Sequence, residues 1–275
     1  ATQSPKTTET DTSSPKTQTD TSSPKTQTDT QSPKTQTAMP SPKTTETDTS
    51  SPKTQTATQS PKTQTAVEKG NNYYSGTGVT QSYSEAFKWY KLAADQGNAN
   101  AQYNLGLMYE AGHGVTRSSF EAVKWYKLAA DQGDASAQFN LGAMYQMGAG
   151  SYIEAFKFFK LAADQGLVDA QSSLGYMYYY GKGVTRDNIE AMKWFKLAAD
   201  KGDASAQFRV GSMYYFGRGV TKDYYEAFRW FKLAADQGDV NGQINLGNMY
   251  EKGLGVTQNY SEAIRWYKLV ADQGD

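Results

Sequence analysis

Few of the 275 residues in this chain could do chemistry by type. There is one histidine, His113, and no cysteine. A lone imidazole with no fixed acidic partner makes a poor acid–base site. A chain without thiols has no disulfide, no zinc–thiolate site and no cysteine nucleophile. His113 falls in a Gly-His-Gly-Val-Thr turn, and sister turns carry Thr77, Ala149, Lys182, Arg218 and Leu254 at its position. A slot filled so variously reads as a solvent-exposed turn residue. The Gly-x-Gly-Val-Thr segments at 112–116, 181–185, 217–221 and 253–257 look like phosphate loops only on the surface. They lack both the following Gly-Lys-Ser/Thr and the preceding strand. Glu85, Glu121, Glu154, Glu190, Glu226 and Glu262 recur in register, but each stands three residues after a Ser, Asp or Asn. That spacing is a helix-capping box. The expectation is no catalytic residue, no cofactor-binding residue, no cofactor and no metal site.

A second chemistry lies upstream. Ser-Pro-Lys-Thr occurs seven times, beginning at Ser4, Ser14, Ser23, Ser32, Ser41, Ser51 and Ser60. Such sites suit phosphorylation, and Ser/Thr density with proline suits O-glycosylation. The regular lysines could touch an acidic surface, although interleaved acids cancel much of that field. The plainest reading is a solvated spacer or stalk.

These residues belong to two different kinds of chain. Residues 1–66 hold all eight prolines, no glycine, no aromatic residue and no Val, Ile or Leu. With nothing to bury, this segment cannot offset the entropy of ordering its backbone, and disorder is expected. Residues 67–275 hold all 25 glycines and every aromatic residue, enough for a core. The first part carries seven lysines against six acids, and the second carries 21 basic residues against 22 acidic ones. Neither has the basic excess that nucleic-acid binding requires. No run of about 18 apolar residues is present, so no membrane span is expected. No signal peptide is visible. The chain opens on Ala1 rather than Met, which suggests a processed or incomplete chain.

An internal period decides the expected fold. Ala101–Ser136 aligns with Ala137–Asp169, Ala170–Ser205, Ala206–Asn241 and Gly242–Asp275 in the pattern A-Q-x-x-L-G-x-M-Y-x-x-G-x-G-V-T-x-x-x-x-E-A-x-x-W-x-K-L-A-A-D-Q-G. The period is 36, except that the copy starting at Ala137 drops three loop residues between Gly150 and Ser151. Gly70, Tyr73, Gly76, Gly78 and Val79 mark a sixth, degenerate copy whose first helix is weak.

Each copy reads as two helices. Ala101, Leu105, Met108 and Tyr109 form the buried stripe of the first, with Gly106 admitting a close neighbour. Gly112 and Gly114 end it. Ser82, Ser118, Ser151, Asp187, Asp223 and Asn259 start the second helix as capping residues. Ala122, Trp125, Tyr126 and Ala129 form its buried stripe, Lys124 and Lys127 point to water, and Gly133 stops it. Trp89, Trp125, Trp194, Trp230 and Trp266, with Phe158 in the same slot, read as a repeated core position. One helix pair cannot bury its own apolar face and must stack on its neighbours.

On these residues the chain resembles the Sel-one-like repeat (SLR) family, a branch of the tetratricopeptide-like helical repeats. Ala137, Leu141, Gly142, Tyr145, Gly148 and Gly150 carry the resemblance in the first half of a unit. Glu121, Ala122, Trp125, Ala129, Ala130 and Gly133 carry it in the second. The resemblance implies an all-α, right-handed α/α superhelix of about six helix-turn-helix repeats over residues 67–275, preceded by the low-complexity tail. It also implies a non-enzymatic scaffold or adaptor for protein complexes. Cysteine-rich relatives with a disulfide in each repeat form a separate subgroup, which this chain without cysteine does not match.

By the same resemblance, the first helix of each unit lines a concave groove that takes a protein or peptide segment. The outward slots of these helices hold Tyr103, Phe139, Tyr176, Tyr179, Tyr180, Phe208, Tyr215 and Phe216. Clustered aromatic residues where packing does not dictate them suggest a partner-binding patch, with extra packing between repeats as the other reading. Two further functions stay open: a cell-envelope enzyme or peptidoglycan-related accessory, and a structural surface or spacer protein. Among compartments the reading leans to export, to periplasm or cell surface, over cytoplasm. Gly274-Asp275 falls where another unit would begin. A fragment of a longer array is expected, with self-association through an uncapped C-terminal end.

Overall fold

The computed structural model describes residues 61–149 and 151–274. The expected disorder of the tail lies outside the described residues for all of it except 61–66. Among the described residues there are twelve α-helices and no strand. They are α1 (Pro61–Ser75), α2 (Tyr83–Ala94), α3 (Ala99–Ala111), α4 (Ser119–Asp131), α5 (Ala135–Met144), α6 (Tyr152–Asp164) and α7 (Val168–Tyr180). The rest are α8 (Asn188–Asp200), α9 (Ala204–Phe216), α10 (Tyr224–Asp236), α11 (Val240–Lys252) and α12 (Tyr260–Gly274). Odd-numbered helices are the first of each pair and even-numbered ones the second. Each packs chiefly on the helix before it and the helix after it, as a quasi-one-dimensional repeat array requires.

Within a pair, the contact turns on a missing side chain. Gly106 and Gly211 face the rings of Tyr126 and Phe231, and a Cβ on Gly211 would lie 2.7 Å from the Phe231 ring. The large aromatic residue of the second helix therefore lies flat on the backbone of the first. Tyr90, Tyr126, Phe159, Phe195 and Phe231 occupy this place and are at most 3% exposed. Each is the residue immediately after the Trp/Phe slot. The Trp slot itself is shallower than its period suggests. Trp125 and Trp266 are buried, but Trp89, Phe158, Trp194 and Trp230 are only half-buried. The rings of Trp194 and Trp230 lie at the seam between successive second helices, where Lys160 and Lys196 stand 5.2 and 4.9 Å from their ring centres, and Lys69 of α1 stands 4.4 Å from that of Trp89.

Between pairs, the second turn glycine does the joining. Gly114 has φ +70°, and a Cβ there would lie 2.5 Å from the carbonyl oxygen of Tyr83 in the preceding pair. Gly183, Gly219 and Gly255 repeat this overlap against Tyr152, Asn188 and Tyr224. Only a glycine combines the left-handed backbone with this approach.

The capping residues hold in five of six copies. Ser82, Ser118, Asp187, Asp223 and Asn259 accept from the N–H of Glu85, Glu121, Glu190, Glu226 and Glu262 at 3.4, 3.3, 3.1, 3.0 and 3.1 Å. Ser151 makes no such bond. Its loop is the shortened one, and the chain enters α6 through a π turn at Tyr145–Ala149. The glutamates do not reach back to close the box, because the N–H of the capping residue is already taken. Ser82, Ser118, Asp187, Asp223 and Asn259 donate it to the carbonyls of Tyr73, Tyr109, Tyr178, Tyr214 and Tyr250 at 2.9–3.0 Å. The freed carboxylates pair instead with the cation three residues on, as in Glu85–Lys88 and Glu226–Arg229.

α1 begins at Pro61, ahead of the change in composition at residue 66. Thr63 and Ala66 are buried there, and Ala66 joins Val67, Ala86 and Tyr90 in one cluster. The exposed side of α2 supplies a surface that a poor helix-forming sequence then covers, so packing outweighs propensity.

Candidate functional site

The eight outward aromatic residues separate into backing and display. Tyr103, Phe139, Tyr176 and Phe208 are half-buried. Each lies against the deep aromatic of its own pair, with ring centres 5.9 Å apart for Tyr103–Tyr126, 5.4 Å for Phe139–Phe159, 5.1 Å for Tyr176–Phe195 and 5.8 Å for Phe208–Phe231. These four extend the core outward. Tyr215 is half-buried between Tyr224 and Phe231 at 5.2 and 6.3 Å. Tyr179 is half-buried beneath two arginines, the guanidiniums of Arg186 and Arg218 standing 5.9 and 5.7 Å from its ring centre.

Two of the eight are open to water: Tyr180 is 54% exposed and Phe216 60% exposed. They end α7 and α9, and Met147 holds the same slot one copy earlier at 74% exposure. Tyr180 stacks parallel to Tyr176 at 6.4 Å and meets Tyr179 edge-on at 5.0 Å. Phe216 meets Tyr215 at 4.9 Å. Gln146, Ser173, Tyr176, Met177, Tyr180 and Lys182 line a recess of about 230 Å3 beside Tyr180.

Arginines tie this surface across the repeat boundary. Arg209 donates its Nε–H to the Tyr176 hydroxyl at 3.0 Å and stands over the rings of Tyr176 and Phe208. Tyr176 also shares a 3.0 Å hydrogen bond with Ser205. Arg218 donates to the Tyr179 hydroxyl and lies 5.0 Å from the ring centre of Phe216. Side chains of α7 are thus held by α9 and the turn after it.

A chemical reason lets these slots be aromatic. In the second and sixth pairs the deep residue is a tyrosine, and its hydroxyl needs an acceptor. Tyr126 donates to Glu110 at 2.6 Å and Tyr267 to Glu251 at 2.9 Å. Burial and the adjacent carboxylate push both phenols up, Tyr267 to about 12. In the fourth and fifth pairs the deep residue is Phe195 or Phe231 and asks for nothing. The Glu110 slot is then free, and Tyr179 and Tyr215 fill it.

His113 is less exposed than a bare turn residue. Its ring stacks on Tyr83 at 4.4 Å, and its Nδ1 is 3.0 Å from the Tyr74 hydroxyl. The slot plugs the turn onto the preceding pair, as Lys182 does over Tyr152 at 5.1 Å. No group of three or more His, Cys, Asp or Glu among the described residues could hold a metal ion. No helix among them is long and apolar enough to cross a membrane.

The glutamine of the repeat pattern is a stitch between pairs. Gln102, Gln138, Gln207 and Gln243 are at most 5% exposed. Their amides donate to the carbonyls of Ala94, Ala130, Ala199 and Ala235 at 3.2–3.4 Å. Their oxygens accept from Gln132, Gln165, Gln237 and Gln273 at 2.6–3.1 Å. The sequence signal was present, as a polar residue invariant on a buried stripe.

Comparison with known proteins agrees with this unit. The Sel1 repeat family matches six times, at residues 70–98, 99–134, 135–167, 168–203, 204–239 and 240–275. Each complete match covers one first helix and one second helix. No curated protein matches the chain. The crystal structure of c5321, described as a protective antigen present in uropathogenic Escherichia coli strains displaying an SLR fold, is 39% identical with a TM-score of 0.75. The alignment covers 78% of this chain and 46% of that one, so this chain spans less than half of its length. A Sel1 repeat protein from Oxalobacter formigenes is 33% identical with a TM-score of 0.66, over 76% of this chain and 84% of that one. The pilF protein of Pseudomonas aeruginosa shares the fold, with a TM-score of 0.52 at 17% identity, over 74% of this chain and 88% of that one.

Proposed function

The chain belongs to the Sel1 repeat family, and from that footing we propose that it is a non-enzymatic scaffold holding an extended partner segment along the first helices of its central repeats. The observation that carries this reading is the pair Tyr180 and Phe216. Both are large, exposed and successive in register, and both stand on a fixed layer of half-buried aromatic residues. Exposed aromatic residues already held by their neighbours lose little side-chain entropy on binding, which is what makes an anchor. The recess beside Tyr180 gives one partner side chain a place to enter.

The test is selection of displayed random peptides on the full chain, with Tyr180→Ala/Phe216→Ala as the counter-target. Peptides that bind the parent and lose about tenfold or more on the variant, a change of about 1.4 kcal/mol, support the proposal if both proteins melt alike. Peptides that bind both equally would move the site to the turns or to the face of the second helices.

A further inference from the structure

We propose that the segment held by this surface is acidic: a stretch of protein in which carboxylates alternate with apolar side chains. This rests on the scaffold reading above and specifies the partner of the same site. It follows from the juxtaposition of exposed Tyr180 and Phe216 with cations that have no carboxylate of their own.

The described residues contain eleven ion pairs, and every one lies on a second helix or at its end. There the pairing is systematic, each Glu with the cation three residues on and Asp with the Lys four before. Lys182, Arg186, Arg209, Arg218 and Lys222 belong to none of these pairs. All five sit on α9 or in the two turns that follow α7 and α9, and each faces an aromatic ring instead.

The carboxylates nearby are committed. Asp187 and Asp223 cap α8 and α10 through two backbone N–H groups each. Asp203 caps α9 and accepts from Ser172 at 3.1 Å. Asp169 lies in the first turn of α7, about 16 Å along the helix from Tyr180. The ends of α7 and α9 add about half a negative charge each, offset by the starts of α8 and α10. Capping leaves these carboxylates charged, so the five cations stand against the four acids Asp169, Asp187, Asp203 and Asp223, and the face is net positive by one charge. Its neighbours are not: the slot of Tyr179 and Tyr215 holds Glu110 and Glu251 in the second and sixth pairs. On the first helices, exposed aromatic side chains and unpaired cations meet at the ends of α7 and α9.

A guanidinium held against an aromatic ring keeps most of its donors turned outward. Arg209 spends its Nε–H on Tyr176, which fixes the fork for a bidentate carboxylate. A basic or neutral segment would leave these cations unanswered. An acidic, partly apolar one satisfies both them and the two anchors.

The full chain is incubated with arrays of short random peptides built from Asp/Glu and Leu/Phe/Tyr. Matched arrays carry Asn/Gln or Lys/Arg in place of the acids. The acidic set should bind about tenfold or more tightly than the amide set, and this margin should shrink with added salt. Arg209→Gln/Arg218→Gln should erase the margin. Lys182→Gln/Arg186→Gln, in an exposed turn, should reduce it and serves if the first variant melts early. Equal binding of acidic and amide sets, lost in Tyr180→Ala/Phe216→Ala, would overturn the acidic preference and leave the scaffold reading standing. Acidic peptides that ignore both arginine pairs would overturn it too. Oligothymidine bound as tightly as the acidic set would reduce the effect to attraction for any polyanion. No binding by any set would overturn both readings.

Discussion

Lys201 Nζ donates to the carbonyl of Gly166 at 2.6 Å, and the Oε1 of buried Gln171 is left without a partner. In the second, third, fifth and sixth pairs a glutamine stands where Lys201 is and donates to this oxygen, as Gln132 does to Gln102 at 2.6 Å. The fourth pair thus has one open stitch. A buried acceptor without a donor costs about 1–3 kcal/mol, whereas the exposed lysine can return to water.

Lys201→Gln should accordingly stabilise the protein, by about 1 kcal/mol. Urea unfolding followed by circular dichroism measures it. An unchanged or lowered midpoint would mean that Gln171 is satisfied by other means.

Gly114→Ala and Gly78→Ala form a matched pair. Both glycines have φ near +70°, but a Cβ on Gly114 meets the Tyr83 carbonyl, whereas one on Gly78 meets open space. Each should lose about 1 kcal/mol for the left-handed backbone. Gly114→Ala should lose about 1 kcal/mol or more beyond that, because the overlap is with backbone that cannot turn aside. Equal losses would show that the pairs do not dock through this turn.

Phe195→Ala should be worse than Trp194→Ala, although tryptophan is larger. Phe195 is fully buried on Gly175, and its removal leaves a closed cavity, at about 3–5 kcal/mol. Trp194 stands at a seam that water and the Lys160 side chain can fill. The difference should be about 1 kcal/mol or more, read from denaturation midpoints. The reverse order would return the Trp slot to the core.

Tyr90 makes stability fall in alkali. Burial first, and the charge of Tyr74 second, push its phenol up from 10.0 to about 12. The folded state therefore holds this proton more tightly than the unfolded chain does. Its contribution is complete below pH 10.0 and drains away as pH rises toward about 12. Tyr90→Phe gives up the 2.8 Å bond to Asn71 at neutral pH but should flatten this decline. Parallel pH profiles of the two proteins would remove Tyr90 as the cause.

Some of this was legible in the sequence. The 36-residue period, the glycine pairs and the Ser/Asp/Asn-x-x-Glu starts predict helix pairs because each is a local rule, set by backbone torsion and by hydrogen bonds within a few residues. Burial of Ala101, Leu105 and Met108 follows from helical spacing alone. The positions of Tyr180 and Phe216 could be named, but not their separation from Tyr103, Phe139 and Phe208, since all five share the outward side of a first helix.

Tertiary structure decided which aromatic residues are lids and which are open, because that depends on distances between helices rather than along one. It decided that the residue after each tryptophan except Trp266 is the deeper one, since a ring lies flat only where Gly106 or its counterparts leave the backbone bare. It decided that the glutamates pair forward, because the carbonyl of Tyr109 and its counterparts had taken the N–H they would have capped. It also left five central cations facing rings instead of carboxylates, a matter of what each side chain meets across the repeat boundary, which periodicity along the chain does not encode.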